Sequence, residues 1–239
     1  MCRFLAVRGE TEAVREFLAS DVAAQFQARS RRHTAGWGIA AYDDGVPALI
    51  RHPVWVRDDA NFLPTLRGLA SPTVLVHARR ATRGSITVEN THPFVHGRWS
   101  FAHNGTIVNR VTREVRDWLQ PPVAGQTDSE VFFHLLLHFI AEKQGDVTEG
   151  VRAAVSWVLE RSPAARLNFV LSDGERLFAY RRGHTLFHFL EEYGGGLVEG
   201  VASDNLGGTW RSIGRDWLIT LDGHPSHDRV DTVRLGSAA

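Results

Sequence analysis

The sequence has almost no cysteine, methionine or lysine. Its 239 residues include one cysteine, Cys2, and one methionine, Met1, and Lys143 is the one lysine among 27 basic residues. A single cysteine excludes an internal disulfide and a zinc site built from several thiolates. Acidic residues also number 27, so the formal net charge is zero. A balanced chain argues against nucleic acid or an anionic membrane as the main partner.

Long apolar runs are also missing. The richest run, residues 132–141, contains two histidines and is far shorter than the roughly 20 apolar residues of a membrane-spanning helix. Only residues 4–7 are apolar at the start of the chain before charged residues follow, which excludes a signal-peptide core. We therefore expect a cytoplasmic protein. With 43% hydrophobic and 23% charged residues, one globular domain over residues 2–239 is expected.

The hydrophobic pattern predicts strands towards both ends of the chain and helices between them. Strands are expected at residues 4–7, 37–42, 47–51, 73–80, 98–103, 167–172, 177–181, 185–189, 198–202, 217–221 and 230–235. Helices are expected at residues 11–28, 111–119, 128–142 and 148–160. Strands, then helices, then strands again indicate an α+β layered domain rather than alternating parallel units.

Cys2 directly follows Met1 and has two interpretations. A small residue near a chain terminus is ordinary and needs no function. If Met1 is removed, however, Cys2 carries both a thiol and a free α-amine. Because an α-amine titrates near ~8 and a cysteine thiol near ~8.5, the amine can act as a base for the thiol. Position alone does not decide between the two.

Four further segments are rich in residues suited to amide hydrolysis. They are His77-Ala78-Arg79-Arg80-Ala81-Thr82, Thr91-His92-Pro93-Phe94, Phe101-Ala102-His103-Asn104-Gly105 and Thr127-Asp128-Ser129-Glu130. With Cys2 they resemble the glutaminase domain of class II glutamine amidotransferases, which are N-terminal nucleophile hydrolases. That family has a mature N-terminal Cys, then H-x-R-x-x-T, His-Pro, H-N-G and a D-S-E helix start, in this order and at similar spacing.

The resemblance covers roughly residues 2–235 and extends to Gly36-Trp37-Gly38-Ile39-Ala40, which looks like the family's D-G-W-G-I segment. Ala35 stands where that segment usually has Asp. The fold implied is the four-layer αββα sandwich of the N-terminal nucleophile hydrolases, with two mainly antiparallel sheets between helix layers. No cofactor and no metal are implied.

The resemblance also implies three catalytic residues. Cys2 would be the nucleophile, and the Asn104 side chain and the Gly105 backbone N–H would form the oxyanion hole, which amide hydrolysis needs. Asn-Gly is also a common type I′ hairpin turn, so a turn is the alternative for these two residues.

Four substrate-binding residues are implied in the same way. Arg79 matches the guanidinium that grips the substrate α-carboxylate, a bidentate task suited to arginine. Asp128 matches the acid that holds the α-ammonium, although Asp128 or Thr127 could equally be a helix N-cap. Thr82 and His92 match positions that line the glutamine pocket, and each alone could be structural.

The activity implied is a cysteine amidohydrolase that cleaves the γ-glutamyl amide of glutamine or of a γ-glutamyl conjugate through a thioester on Cys2. At 239 residues the chain resembles stand-alone family members rather than those with a synthase domain. A conjugate hydrolase of the ergothioneine-pathway type is one alternative. A binding subunit with little catalysis is another, and Ala35 favours it.

The expected partner is a small γ-glutamyl substrate, with a homo-oligomer or a synthase partner left open. An open leaving-group side is expected, with residues 29–36 and 194–208 as its candidate walls because loops of this kind carry specificity.

A metal site is the alternative suggested by the twelve histidines. His134 and His138 are four apart on an expected helix, which is the spacing of a zinc pair. Leu135 occupies the place of the Glu that follows the first His in metalloprotease motifs. We therefore expect these two residues to be helix-face histidines.

Overall fold

The computed structural model describes residues 2–81, 84–116, 119, 122–223 and 231–234. Its strands are β1 (Arg3–Gly9), β2 (Trp37–Asp43), β3 (Val46–His52), β4 (Thr73–Ala78), β5 (Phe94–His96), β6 (Trp99–Thr106), β7 (Arg166–Ser172), β8 (Leu177–Arg181), β9 (Phe187–Tyr193), β10 (Gly196–Ala202), β11 (Arg211–Ser212), β12 (Trp217–Leu221) and β13 (Asp231–Arg234). Its helices are α1 (Thr11–Ala19), α2 (Asp21–Arg29), α3 (Phe62–Arg67), α4 (Asn109–Arg116), α5 (Asp128–Glu142) and α6 (Val147–Arg161).

These strands form two antiparallel sheets. The first has the order β11-β9-β10-β1-β4-β2-β3, and the second has the order β13-β12-β8-β7-β6-β5. Contacts of β1 and β4 with β6, and of β1 with β8, show that the two sheets face each other.

Three apolar clusters lie between the layers. One joins the first sheet to α1, α2 and α3 and includes Phe17 and Trp37. A second joins the other sheet to α4, α5 and α6 and includes Phe132 and Phe169. The third, which includes Leu75 and Val170, fills the space between the sheets. The result is the four-layer αββα sandwich that the family resemblance implied, and it agrees with the α+β layered domain expected from the order of the elements.

The sequence-predicted helix over residues 11–28 is two helices. The Ser20 hydroxyl donates to the Phe17 carbonyl over 2.6 Å and accepts from the Val22 N–H over 3.3 Å. Ser20 therefore ends α1 and caps α2, because its side chain satisfies backbone groups that a continuous helix would pair. The apolar stripe continues across the break, which is why periodicity alone predicted one helix.

Strand register brings distant parts of the chain to one edge of the sandwich. Arg3 of β1 pairs with Ala78 of β4, and Trp37 of β2 pairs with the same Ala78. Since Cys2 precedes β1 and Arg79 follows β4, both residues lie at this edge. We call it the Cys2 edge.

The two expected walls of the leaving-group side have different locations. In the segment 29–36, the Ala35 N–H donates to the Arg79 carbonyl over 3.1 Å, so this part lies at the Cys2 edge. The segment 194–208 is divided by β10: Ser203 follows that strand and donates its N–H to the Phe4 carbonyl, whereas residues 194 and 195 turn between β9 and β10, and Gly196 begins β10 at the opposite end. The expectation was therefore wrong for residues 194–196. A strand of seven residues separates the two parts.

In the described part of the chain, no helix is both long and apolar enough to cross a membrane.

Candidate functional site

The backbone of Cys2 is held by the side chain of Asn104. The Cys2 nitrogen donates to Asn104 Oδ1 over 3.1 Å, across 102 residues of sequence. This bond fixes the orientation of the amide, because only its oxygen can accept from an N–H. Asn104 is 2% exposed, and its Nδ2 has no hydrogen-bond partner among the described residues. A buried N–H donor without a partner is costly to a fold and is a feature of sites that receive a ligand atom.

The thiol of Cys2 lies against the backbone of Arg80. The Arg80 N–H donates to Sγ over 3.4 Å, and Sγ is 3.7 Å from the Arg80 carbonyl oxygen. Burial raises the pKa of the thiol, and the Arg80 N–H and the Arg79 charge partly offset that rise. The thiol is therefore mostly protonated at neutral pH and needs a base to become a nucleophile.

Asn104 and Gly105 lie inside β6, opposite Asn168 and Leu167 of β7. The alternative that they form a hairpin turn was therefore wrong. A Cβ on Gly105 would collide with the Arg166 carbonyl and with the His103 ring. Glycine is thus required here by the packing of β6 on β7, besides any need for close approach of a substrate.

Arg79 lies directly beyond the end of β4 and is 2% exposed. Its backbone N–H donates to the Gly36 carbonyl over 2.7 Å, and its Nη1 donates to the Ser85 carbonyl over 2.9 Å. Gly36 has a φ of +119°, a conformation open to glycine and strained for other residues. The strand was predicted to reach residue 80, whereas β4 ends two residues earlier, at Ala78.

Burial lowers the pKa of Arg79, and the charges of Cys2 and Asp128 act in the opposite direction. The guanidinium, the thiol and the Asp128 carboxylate are therefore close enough to influence one another. Their charges act inside a partly desolvated region, where such effects are stronger than in water.

Asp128 is the first residue of α5 but does not cap it. The Thr127 hydroxyl accepts from the Glu130 N–H over 3.2 Å and is the N-cap. Asp128 Oδ2 instead accepts from the Ile107 N–H over 2.7 Å, directly after β6. The carboxylate is therefore fixed beside the strand that carries Asn104, and the N-cap role belongs to Thr127.

His103 joins three elements behind the site. Its Nε2 is 3.1 Å from the Arg166 carbonyl oxygen, and its Nδ1 is 2.9 Å from Ser129 Oγ. Because a carbonyl only accepts, Nε2 carries the proton and the Ser129 hydroxyl donates to Nδ1. This chain ties β6 to β7 and to α5, and so fixes Asn104 relative to Asp128. Neither role was predicted from the sequence, although His103 and Ser129 each stand next to a predicted site residue.

A second network supports Arg79 from outside the strands. Asn90 Nδ2 donates to the Ser85 carbonyl over 3.1 Å, and Asn90 Oδ1 accepts from the Gln126 N–H over 2.7 Å. The Ser85 carbonyl is therefore shared by Asn90 and Arg79. Asn90 was not predicted as a site residue, because its place directly before the Thr-His-Pro segment is its one signal in the sequence.

The other two predicted pocket residues are Thr82 and His92. Thr82 lies outside the described residues. His92 is 3% exposed, its ring stacks on His77 at a centroid distance of 4.1 Å, and it packs against Phe94 at 4.5 Å. Neither ring nitrogen of His92 has a hydrogen-bond partner within the described ranges. Because His92 is buried, any contribution to a substrate pocket would be indirect, through packing against the residues that line the pocket.

The two helix histidines have separate surroundings. His138 Nε2 is 3.4 Å from Glu142 Oε1, whereas the His134 ring lies 5.7 Å from that of His96. Over the residues that the structure describes, no group of three or more His, Cys, Asp or Glu side chains could hold a metal ion.

The buried imidazoles of His77 and His92 predict a loss of stability in mild acid. Burial lowers the pKa of each well below 6.5. Below that pH the unfolded chain binds protons that the folded chain does not, so the stabilisation is complete above about pH 6.5 and falls as the pH decreases. From about pH 7 to about pH 5, each residue should lower the free energy of unfolding by about 2 kcal/mol.

Denaturant unfolding at both pH values measures this effect. His92→Phe keeps a flat ring but removes one titrating group. The pH dependence of its unfolding free energy should be smaller than that of the unchanged protein by about 2 kcal/mol. Identical pH dependence in the two proteins would contradict the prediction.

Comparison with known proteins identifies the family. A family model of class-II glutamine amidotransferases matches residues 1–192. The uncharacterized protein MJ1515 of Methanocaldococcus jannaschii is 35% identical over 175 residues, which cover 70% of this chain and 48% of that protein. The putative glutamine amidotransferase YafJ of Escherichia coli is 31% identical over 62% of this chain and 60% of its own length. The match thus spans about half to three fifths of these two relatives.

A third relative matches over more of its length. Gamma-glutamyl-hercynylcysteine sulfoxide hydrolase of Mycobacterium tuberculosis is 30% identical over 195 residues, which cover 78% of each chain.

Solved structures agree on the fold. A glutamine aminotransferase class-II domain protein from Silicibacter pomeroyi has a TM-score of 0.66 at 24% identity, over 92% of this chain and 95% of that chain. Glutamine phosphoribosylpyrophosphate amidotransferase from B. subtilis has a TM-score of 0.68 at 17% identity, over 99% of this chain and 50% of that chain. The chain belongs to the class-II glutamine amidotransferases, a family of enzymes.

Proposed function

We propose that this enzyme cleaves a γ-glutamyl amide, in glutamine or in a γ-glutamyl conjugate, through a thioester on Cys2. The domain proposed for this activity spans residues 2–239 after removal of Met1, which lies outside the described residues. The observation that carries the proposal is the pairing of Cys2 N with Asn104 Oδ1, which leaves the buried Nδ2 free to donate.

In the first half of the reaction, the Cys2 α-amine would take the thiol proton, and Sγ would attack the γ-carbonyl carbon. The carbonyl oxygen becomes an oxyanion, to which Asn104 Nδ2–H and the Gly105 N–H would donate. The C–N bond then breaks, the α-ammonium returns its proton to the leaving nitrogen, and the γ-glutamyl group remains on sulfur. The raised pKa of the buried thiol is the reason that a neighbouring base is needed.

In the second half, water would attack the thioester carbonyl and give its proton to the same amine. The C–S bond breaks, the thiolate regains a proton, and glutamate is released. The same two N–H donors would stabilise the second oxyanion, so one oxyanion hole serves both steps.

The glutamyl part of the substrate would be held by opposite charges. Arg79 would bind its α-carboxylate and Asp128 its α-ammonium, with Thr82 and His92 as further pocket residues. Both charged groups are already fixed by backbone contacts, Arg79 through Ser85 and Asp128 through Ile107. A fixed group loses little conformational entropy when the substrate binds.

A hydrolase of γ-glutamyl conjugates is the form of this activity that the relatives favour. The mycobacterial relative, which matches over 78% of each chain, is by name a hydrolase of a γ-glutamyl conjugate. A glutaminase subunit that passes ammonia to a partner synthase is the competing form. A substrate panel of glutamine, γ-glutamyl anilides and γ-glutamyl dipeptides distinguishes them, since strict glutamine preference would indicate the subunit.

Intact mass spectrometry with a glutamine-analogue electrophile tests the proposal directly. The protein purified from its native host should be one methionine lighter than its coded sequence. A diazoketone analogue of glutamine should add one adduct, on Cys2, and should stop glutamate release. Full labelling and turnover by protein that retains Met1 would contradict the role of the α-amine, and a protein that neither reacts nor releases glutamate would fit the binding subunit.

Replacing Arg79 or Asp128 should mainly raise KM. Their substrate partners carry the same charges in the ground state and in the transition state, so the binding lost is common to both. We expect Arg79→Lys and Asp128→Asn to raise KM by about tenfold or more, the effect of weakening one charge-assisted contact. Steady-state kinetics on a γ-glutamyl substrate measure the effect.

The neighbouring Arg80 provides a matched control. Its side chain is exposed, and Arg80→Ala keeps the backbone groups that contact Cys2. Its KM should stay within about twofold of that of the unchanged enzyme. If Asp128→Asn has an unchanged kcat/KM, then the Asp128 carboxylate serves only to hold Ile107.

A further inference from the structure

Four arginines surround a pocket at the start of β7. Arg166, Arg181, Arg182 and Arg215 line a cavity of about 210 Å³. The chain as a whole has zero formal net charge, so this concentration of positive charge is a local feature.

Little negative charge is present to balance these arginines. Arg182 Nη1 lies 2.6 Å from Asp216 Oδ1, and Arg215 Nε lies 3.6 Å from Asp216 Oδ2. Arg181 donates to the carbonyl oxygens of His184 and Ile213, which carry no formal charge. Among the described residues, Asp216 is the one carboxylate within ion-pair distance of the four guanidinium groups.

Arg166 is the arginine whose guanidinium N–H donors have no partner among the described residues. It is exposed, and within the described ranges its guanidinium forms neither a hydrogen bond nor an ion pair. Its aliphatic stem packs beside Gly183, since a Cβ there would lie 2.9 Å from Arg166 Cβ and Cγ. Five N–H donors of one guanidinium are therefore open to a ligand.

This pocket adjoins the oxyanion strand. Arg166 is directly opposite Thr106, the residue after Gly105, and paired Cα atoms in antiparallel strands are about 5 Å apart. The Arg166 carbonyl also accepts from His103 Nε2. The pocket therefore begins one residue beyond the proposed oxyanion hole.

Sheet order shows on which side of Cys2 the pocket lies. Arg79 follows β4, which faces β6, and Asp128 is tied to the residue after β6. In the first sheet β1 comes next after β4, and in the second β7 and β8 come next after β6. A path from Arg79 and Asp128 across Cys2 and Asn104 thus leads to Arg166. A substrate with its glutamyl end on Arg79 would extend its leaving group along this path.

His184 connects the two regions electrostatically. Burial lowers the pKa of its ring to about 4, and the Arg166 charge contributes, with smaller effects from His103 and Arg3. Arg3 itself is paired with Asp204 at 2.7 Å, whereas Arg166 has no carboxylate within ion-pair distance among the described residues.

We infer that the leaving-group side takes γ-glutamyl conjugates whose leaving group is an amino acid bearing a free carboxylate, bound by Arg166 with Arg215 beside it. This inference rests on the proposed function and adds a substrate class to it. A carboxylate matches the planar fork of a guanidinium, and the cavity has room for a small side chain. The reaction is the same as the one proposed above: the γ-glutamyl C–N bond breaks, and the amino acid leaves with the proton on its nitrogen.

Paired substrates that differ only in one charge test the inference. γ-Glutamylglycine is compared with γ-glutamylglycinamide, and the readout is the ratio of their kcat/KM values. The carboxylate should be preferred by about five- to tenfold, the effect of one partly exposed charge-assisted contact. Added salt should reduce the ratio, because the contact is open to solvent.

Arg166→Gln should bring this ratio close to one, and Arg215→Gln should reduce it. Arg215 is the safer variant for folding because 69% of its side chain is exposed. Arg152→Gln is the matched control, since Arg152 lies on α6 and pairs with Glu149, and it should leave the ratio unchanged.

The outcomes separate the inference from the proposed function. Hydrolysis of both substrates with a ratio near one in the unchanged enzyme would overturn the inference and leave the γ-glutamyl activity standing. A high ratio that survives both Arg166→Gln and Arg215→Gln would also overturn it. Hydrolysis of neither substrate, nor of glutamine, would contradict the proposed function itself.

Discussion

Replacing Cys2 with alanine should abolish hydrolysis of every γ-glutamyl substrate while the fold stays intact. The chain has no other cysteine, so no second thiol can form the thioester. Loss of a catalytic nucleophile lowers kcat by about 10⁴-fold or more. In the described part of the structure the hydrogen bonds of the thiol are to backbone groups of Arg80, so its removal should change the free energy of unfolding by only about 1 kcal/mol. Glutamate release and a thermal melt measure the two effects.

Cys2→Ser is the companion variant. It keeps the α-amine and a group that can accept from the Arg80 N–H, but its hydroxyl is a much weaker nucleophile than a thiol. We expect its activity to stay close to that of Cys2→Ala. Equal hydrolysis by the unchanged enzyme and by Cys2→Ala would refute the thioester and leave the oxyanion-hole geometry without the proposed role.

Local signals predicted most of the elements of the fold. The polar cluster before the apolar run placed α5 at residues 128–142, and the structure has the same bounds. The turn between β2 and β3 contains Asp44-Gly45, and Asp-Gly is a common hairpin signal. The short helix α3 and the strands β5 and β11 were missed. Each is six residues or fewer, which is too short for a periodic pattern to stand out.

The candidate site was predictable as a set of residues but not as a geometry. Motif order indicated Cys2, Arg79, Asn104 and Asp128, and the structure brings these four together at the Cys2 edge. Which of Thr127 and Asp128 caps α5 depends on the position of Ile107, the residue that follows β6. A short-range sequence pattern carries no information on such a contact.

The contacts between different helices and strands could not be predicted from the sequence. The tie from His103 to Ser129 and to the Arg166 carbonyl needs β6, β7 and α5 in their final positions. The arginine pocket likewise combines residues 166, 181, 182 and 215, which are spread over 50 residues of a chain rich in arginine. Only the antiparallel pairing of β7 with its neighbours places them around one cavity.

Asn104→Ala should lower kcat by about 10²–10³, the usual effect of removing one oxyanion donor. The effect should fall on kcat more than on KM, because the oxyanion exists only in the transition state and the intermediate. Its effect on stability should be modest. The single described hydrogen bond of the side chain, to the Cys2 nitrogen, lies at a half-buried position where water can replace it.

Asn168 is a matched control for Asn104, because it is the same residue type directly opposite on β7 and is also buried. Its amide is fully engaged: Nδ2 donates to the His184 and Thr185 carbonyls, and Oδ1 accepts from the Arg182 and His184 N–H groups. Asn168→Ala should therefore leave four backbone groups without their hydrogen-bond partners and lower the free energy of unfolding by about 3 kcal/mol or more. In the folded variant, kcat for glutamine should fall by less than about tenfold. The two asparagines should thus show opposite effects, one on turnover and the other on stability. If Asn104→Ala lowers the melting temperature as much as Asn168→Ala and leaves kcat unchanged, Asn104 is a structural residue and the oxyanion hole must be sought elsewhere.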